Sequence, residues 1–372
     1  MRSSYLAVIP STPLRVALVH DYLNQRGGAE RVFAHFLTAY PDAPVYTSIY
    51  SPDLADIVPQ ARVRTSFLQN FPLKKRLFRA FAPLYPRAFE SFDLRAYDTI
   101  VSSTTAWAKG VIVPPGAVHV CYINTVSRFV FDEGRYVGGF TGNPLARAVV
   151  AGLAKWDVRA AQRPTRFIAN SRNVADRIRR YYGREADVLA CPVDVDRFTP
   201  GTGRGDYFVV ISRLLAYKAI DRAIRACARA GVALHVVGTG PHAAALRSLA
   251  AGTRTTFHGY IDDAAVNALA GDARAVILPG EEDFGLVPLE AAAAGTPTIA
   301  LRAGGALETI VEGRTGAFFD DPNDESLAAA IATFDRGRFD PPALRAHAEA
   351  FAPPRFIERL RTIVEDVRTM RT

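Results

Sequence analysis

The sequence predicts an α/β protein made of two doubly wound units in series. Strand-like and helix-like segments alternate along the whole 372-residue chain. The strand-like segments are near-continuous apolar runs, as in parallel strands covered by helices on both faces. One stretch, CPVDVDRFTPGTGRGD at 191–206, interrupts the alternation with two prolines, three glycines and no helical period. A chain of this length has room for two cores, and repeated strand–helix units assemble parallel sheets.

The elements follow in order. RVALVHDY (15–22) reads as a buried strand. AERVFAHFLTAY (29–40) carries Val32, Phe33, Phe36, Leu37 and Tyr40 at helical spacing. YDTIVSST (97–104), HVCYIN (119–124) and RFIANS (166–171) read as later strands of the same half. SRNVADRIRRYYG (171–183) is a helix with Ser171 as its cap and Gly183 as its stop. After the linker come YFVVIS, a helix over about 219–230, ALHVVG, a helix at 241–251, TTFHGY, a helix at 262–270 and ARAVILP. The tail PPRFIERLRTIVEDVRTM is one amphipathic helix. The expected units are therefore 1–198 and 199–349, with a last helix at 350–372.

Hydrophobic residues make up 49% and charged residues 22% of the chain. No apolar run reaches the roughly 18 residues that span a bilayer. The start, MRSSYLAVIPSTPLR, has too short an apolar stretch for a secretory signal. Cys121, Cys191 and Cys227 lie far apart without metal-ligand spacing and read as buried thiols in a reducing compartment. The expected location is the cytoplasm. A net charge of +8 favours an anionic partner, and by itself fits nucleic acid, phospholipid or a phosphorylated substrate.

The chemistry concentrates in GEEDFGLVPLEAAAAGTPTIA (280–300). Pro288 suits the first helical position and Gly295 the helix end. Glu290 then falls in the first turn, and Glu282 in the loop leading in. The amides of Phe284, Gly285, Leu286 and Val287 would point from a positive helix end, a seat for phosphate or sugar oxygens. Gly285 would admit close backbone approach. The plainer reading leaves Glu290 complementing the helix dipole and Glu282 solvated.

EDFGLVPLE followed by a small-residue helix and GTP resembles the paired-glutamate motif of retaining GT-B glycosyltransferases of family 4. ISRLLAYKAID resembles the segment that brings an arginine and a lysine, here Arg213 and Lys218, to the donor diphosphate. VVGTGP, with Gly238 and Gly240, resembles the glycine turn of the nucleotide unit. FHGYIDD, with Tyr260 and Ile261, resembles the lining of the base pocket. AGGALETIVEGRTGAFF resembles the segment after the donor helix. HDYLNQRGGAERVF, with Gly27 and Gly28, resembles the glycine loop near the phosphates and acceptor. PDAPVYTSIYSP and FESFDLRAYDTIVSSTTAWAKGV resemble bacterial mannosyltransferases of O-antigen and exopolysaccharide assembly.

The resemblance implies a GT-B fold, two Rossmann-like domains facing a central cleft, with the last helix packed back on the first. It implies transfer of a hexose, mannose from GDP-mannose, to a lipid-linked or saccharide acceptor in cell-surface polysaccharide synthesis. Glu290 would hold the ribose and Glu282 the donor sugar, with Asp283 beside them; no metal or other cofactor is implied. Asn124 stands where the subfamily carries a histidine. An amide cannot take a proton, although it can orient a hydroxyl. That departure leaves open a silent sugar-nucleotide-binding subunit, or an epimerase or hydrolase without acceptor. His119, nearby, is expected to face the packed side of its strand. Gly238-Thr239-Gly240-Pro241-His242-Ala243 also matches a dehydrogenase fingerprint by letters, but proline there is poor and a lone match is weak.

FPLKKRLFRAFAPLYPRAF (71–89) has five basic residues, no acidic one, and Phe78, Phe81, Leu84 and Tyr85 at roughly helical spacing. It reads as a surface resting on anionic lipid at the inner face of the plasma membrane. No nucleic-acid-binding motif accompanies the charge.

Overall fold

The structure, a computed structural model, describes residues 14–131 and 144–370, excepting the Phe129 side chain. The chain start read above as lacking a signal, up to residue 13, lies outside the described residues, as do 371 and 372 of the last helix.

Seven strands form the first sheet: β1 (Val16–His20), β2 (Val45–Thr47), β3 (Val63–Thr65), β4 (Thr99–Thr104), β5 (Val118–Ile123), β6 (Arg166–Ala169) and β7 (Ala186–Val188). All pairings are parallel, in the order β3-β2-β1-β4-β5-β6-β7. Six strands form the second: β8 (Tyr207–Ile211), β9 (Ala233–Val237), β10 (Thr255–Gly259), β11 (Ala275–Leu278), β12 (Thr298–Leu301) and β13 (Gly316–Phe319). Their order, β10-β9-β8-β11-β12-β13, repeats the same winding. In each sheet the order reverses beside the first strand, so the crevices open at the carboxyl ends of β1/β4 and β8/β11.

The apolar runs behave as parallel core strands: every residue of β1, β4, β5, β11 and β12 is buried. The helix Arg172–Tyr182 has Ser171 accepting from the Val174 amide at 3.1 Å and Gly183 in the left-handed region at φ 63. Asp262 caps the helix Asp263–Asp272 in the same way, at 2.8 Å from the Ala265 amide. The helix read over 241–251 is shorter, Ala243–Leu249. Strands β2, β3 and β7 have three residues each, too few for any periodic signal.

The last helix, Pro353–Thr369, lies on the first sheet's helix Gly28–Ala39. Phe356 packs its ring 5.7 Å from those of Phe36 and Tyr122, and Arg361 donates to the Ala39 carbonyl at 2.7 Å.

The basic segment differs from its sequence reading. It breaks into short helices, Lys74–Leu77 and Tyr85–Glu90, and buries Phe81 and Tyr85 under the first sheet. Of the four residues read from spacing, Leu84 is exposed, and the other exposed apolar side chains of the segment are Phe71, Leu73 and Leu77. Lys75 is ion-paired to Asp53, whereas Arg76, Arg79 and Arg87 are exposed. Spacing finds which residues share a face, but not which face meets the core.

Candidate active site

Loops from both sheets meet across one cleft. On the second sheet, the helix Leu286–Ala293 starts two residues before Pro288. Gly285 is its cap in the left-handed region, at φ 89, which a residue with a Cβ resists. Pro288 is the third helical residue, where its missing N–H would have no intrahelical partner anyway. Glu290 therefore stands in the second turn, and Gly295, at φ 74, follows the helix end. Phe284 turns its ring into the core, and Val287 and Ile261 both pack against the cluster that holds Val209 and Val276. Tyr260, after β10, is 78% exposed.

Glu282 and Lys218 form an ion pair, both largely shielded from solvent. Lys218 ends the short helix Ala216–Lys218, and Ala219 follows at φ 53, a left-handed turn that costs a residue with a Cβ about 1–2 kcal/mol. Arg213 is exposed in the loop after β8. Gly238 and Gly240 place that loop: a Cβ on them would lie 1.9 Å from the Ser212 carbonyl and 2.3 Å from the Leu214 carbonyl. The two turns also bond directly, Leu214 N–H to the Thr239 carbonyl at 2.9 Å.

The first half closes on this surface. Gly28 sits against Leu286, where a Cβ would come within 3.1 Å, and Gly27 caps the helix Gly28–Ala39. Arg31, one turn in, reaches Glu290 at 3.2 Å and Asp263 at 2.8 Å. Asp283 is held by two arginines of the first half, Arg128 and, at 2.8 Å, Arg177. Its carbonyl accepts from the Ser171 hydroxyl at 2.6 Å. Glu308 accepts from the Arg172 amide at 2.8 Å, at the start of that helix. Asp283, read from the sequence as a ligand contact, thus has its carboxylate engaged between the halves. Burial raises the Glu290 pKa, and the Arg31 charge opposes the rise.

Behind the cleft, the Asn124 amide donates to the Ser103 hydroxyl at 3.0 Å and the Thr104 carbonyl at 3.3 Å. Asp21, directly after β1, is buried and gathers the loop after β4. Its Oδ1 accepts from Thr104 Oγ1, Trp107 N and Ala108 N at 2.7–2.9 Å. Its Oδ2 accepts from Thr105 N, Thr105 Oγ1 and Ala106 N at 2.6–2.9 Å. Lys109 pairs with Asp157 at 2.6 Å, both 1% exposed, and Asp157 also accepts from Ser127 and Tyr182 at 2.7 Å. Buried charges of opposite sign so anchor the loops on either side of Asn124. His119 is buried with Nε2 2.7 Å from the Ser102 hydroxyl. Glu30, 3% exposed beside Gly27, is pushed up to about 7 by burial, against the Arg213 charge that lowers it.

Sequence reasoning passed over Arg31, Arg128, Arg177, Asp21 and Glu30. HDY and GGAER stood in the quoted motifs, but the partners of Asp21 and Arg31 lie far along the chain, and only Asp21 had a local sign, a carboxylate ending an apolar strand. Among the described residues, no group of three His, Cys, Asp or Glu side chains is placed to hold a metal ion.

Two family models cover most of the chain: Glycosyltransferase Family 4 over residues 26–197 and Glycosyl transferases group 1 over residues 194–348. The chain belongs to glycosyltransferase family 4. The boundary between the two matches falls at the 191–206 linker. Glycogen synthase of Mycobacterium tuberculosis is 33% identical over 230 residues, 57% of this chain and 53% of the relative. A GDP-mannose-dependent alpha-(1-6)-phosphatidylinositol monomannoside mannosyltransferase of Mycolicibacterium smegmatis is 29% identical over 50% of this chain and 60% of its own. The chain thus spans little more than half the length of these relatives.

Solved structures agree on the fold. Sucrose-phosphate synthase of Thermosynechococcus elongatus superimposes with a TM-score of 0.73 at 17% identity, covering 95% of this chain and 99% of that one. HepE of Anabaena, in complex with UDP and glucose, gives 0.69 at 18% identity, with 95% and 99% coverage. The fold is GT-B, two Rossmann-like domains around one cleft.

Proposed function

We propose that this protein is a retaining, metal-independent hexosyltransferase that moves mannose from GDP-mannose to a lipid-linked or saccharide acceptor of cell-surface polysaccharide synthesis. The observation that carries the reading is the pairing of Lys218 with Glu282 beside the helix that bears Glu290. A cation, two carboxylates and free-ended helix amides converge where a sugar diphosphate has matching needs. The mannosyl donor is favoured by the mannosyltransferase among the relatives.

The chemistry follows from those residues. Cleaving the bond between the anomeric carbon and the diphosphate oxygen leaves an electron pair, and charge, on that oxygen. Lys218 and Arg213 neutralise it as it develops. Lys218 leaves Glu282 for the diphosphate as the donor binds, before the bond breaks, and the freed Glu282 oxygens accept from the donor sugar hydroxyls. Glu290 holds the ribose, and the amides of the 284–287 turn face the phosphates. The acceptor hydroxyl attacks the face the diphosphate leaves, so configuration is retained, and its proton passes to the departing phosphate oxygen. Asn124 orients a hydroxyl and takes no proton. The exposed Phe71, Leu73, Leu77 and Leu84, flanked by Arg76, Arg79 and Arg87, seat the first domain on anionic lipid, where a lipid-linked acceptor is found.

The test is incubation with radiolabelled GDP-mannose and membrane lipid extract. Label moving to lipid supports transfer. Free mannose or an epimer points to a hydrolase or epimerase, and bound, unchanged donor to a silent subunit; each outcome refutes the transferase reading.

A further inference from the structure

Arg31 is the fourth residue of the helix Gly28–Ala39, in the first domain, yet its guanidinium bonds across the cleft. Nη1 donates to Glu290 Oε1 at 3.2 Å and Nη2 to Asp263 Oδ1 at 2.8 Å. The two partners differ. Asp263 is exposed, and Arg197 also pairs with it, so a clamp at that point does not depend on Arg31. Glu290 is three times better shielded, 22% exposed against 64%. Arg31 engages only Oε1 of Glu290, through one Nη1 contact, a charge-assisted bond that holds that oxygen and leaves Oε2 to a ligand.

We propose that Arg31 is a positioning residue: it turns the Glu290 carboxylate toward the ribose of the donor, so the ribose seat is complete only when the two domains are closed. The inference rests on the reading of Glu290 as the ribose contact. A glutamate side chain on a helix samples several rotamers, and ordering it on binding weakens the hydrogen bonds it makes. In the closed cleft Arg31 has already ordered it. In an open cleft the bond is absent, so nucleotide and closure favour one another, a coupling between binding and domain position. The same arrangement explains why a donor-site carboxylate is tied to the acceptor domain at all. A docking clamp alone has surface carboxylates available.

The test is a cycle between Arg31 and the ribose hydroxyls. Binding of GDP and of 2′,3′-dideoxy-GDP is measured by titration calorimetry for the intact protein and for Arg31→Ala, Asp263→Ala and Glu290→Ala. The intact protein is expected to bind GDP about tenfold more tightly than the dideoxy compound. In Arg31→Ala that preference falls to about threefold or less, as it does in Glu290→Ala, whereas Asp263→Ala retains it. A full preference in Arg31→Ala, with a lost one in Glu290→Ala, overturns the inference and spares the ribose reading. An equal loss in Asp263→Ala also overturns it, because Arg31 then serves only to clamp the domains. No preference in the intact protein removes the ribose reading and the inference with it.

Discussion

Replacing Asp21 by asparagine tests how the acceptor domain is built. The carboxylate receives six bonds, three on each oxygen, from residues 104–108. An amide keeps one oxygen and turns a donor toward the other three donors. If the NH₂ replaces Oδ2, the Thr105 hydroxyl can rotate to accept, and Ala106 N–H keeps its 3.0 Å contact with Thr104 Oγ1. Thr105 N–H is then stranded. If it replaces Oδ1, Ala108 N–H keeps Thr104 Oγ1 at 3.2 Å and Trp107 N–H loses its Asp21 acceptor. Either orientation takes the Asp21 acceptor from one backbone amide, about 1–3 kcal/mol, and weakens the remaining bonds by removing their charge. A total of about 3 kcal/mol corresponds to a fall of roughly 6–12 °C in the melting of a domain of this size. Scanning calorimetry reads that transition. Turnover should also fall, because Asn124 is anchored on Ser103 and Thr104, the strand end that Asp21 secures. A shift below about 2 °C would refute the reasoning and show that the loop finds other acceptors.

Lys218→Ala should lower turnover about 100- to 1000-fold with donor affinity much less affected, as for loss of one group that meets developing charge; near-normal turnover would sink the diphosphate role. Glu290→Ala should chiefly weaken donor binding, by about tenfold or more in Kd by titration, and unchanged affinity would exclude a ribose contact. Glu30→Gln addresses pH. With a folded pKa of about 7 against 4.5 unfolded, the folded state holds the extra proton between those values, so Glu30 costs stability as pH rises through that window. The loss reaches about 3 kcal/mol at most above pH 7. Urea unfolding of Glu30→Gln should show greater stability than the parent at pH 8 and a smaller difference at pH 4.5; parallel curves would place the Glu30 pKa near its ordinary value. His20 acts oppositely: burial lowers it to about 4, so its contribution is present above pH 6.5 and lost as pH falls through 4.

The sequence by itself determined the two windings, the linker between them and the caps at Ser171, Gly183 and Gly295, because each depends on periodicity or on one residue's backbone preference. It also offered 280–290 and 213–218 as candidates for the chemistry, since those motifs are contiguous. Tertiary structure decided what those side chains touch. Arg31 and Glu290 are 259 residues apart, and nothing local in either predicts the other. The Asp283 carboxylate reads as a free ligand contact until Arg128 and Arg177 arrive from the other domain. Phe81 and Tyr85 share a spacing with exposed neighbours, and only the position of the first sheet makes them core. Local pattern states which groups are available, while packing of distant segments sets which remain so, because burial and ion pairing depend on three-dimensional proximity rather than on spacing along the chain.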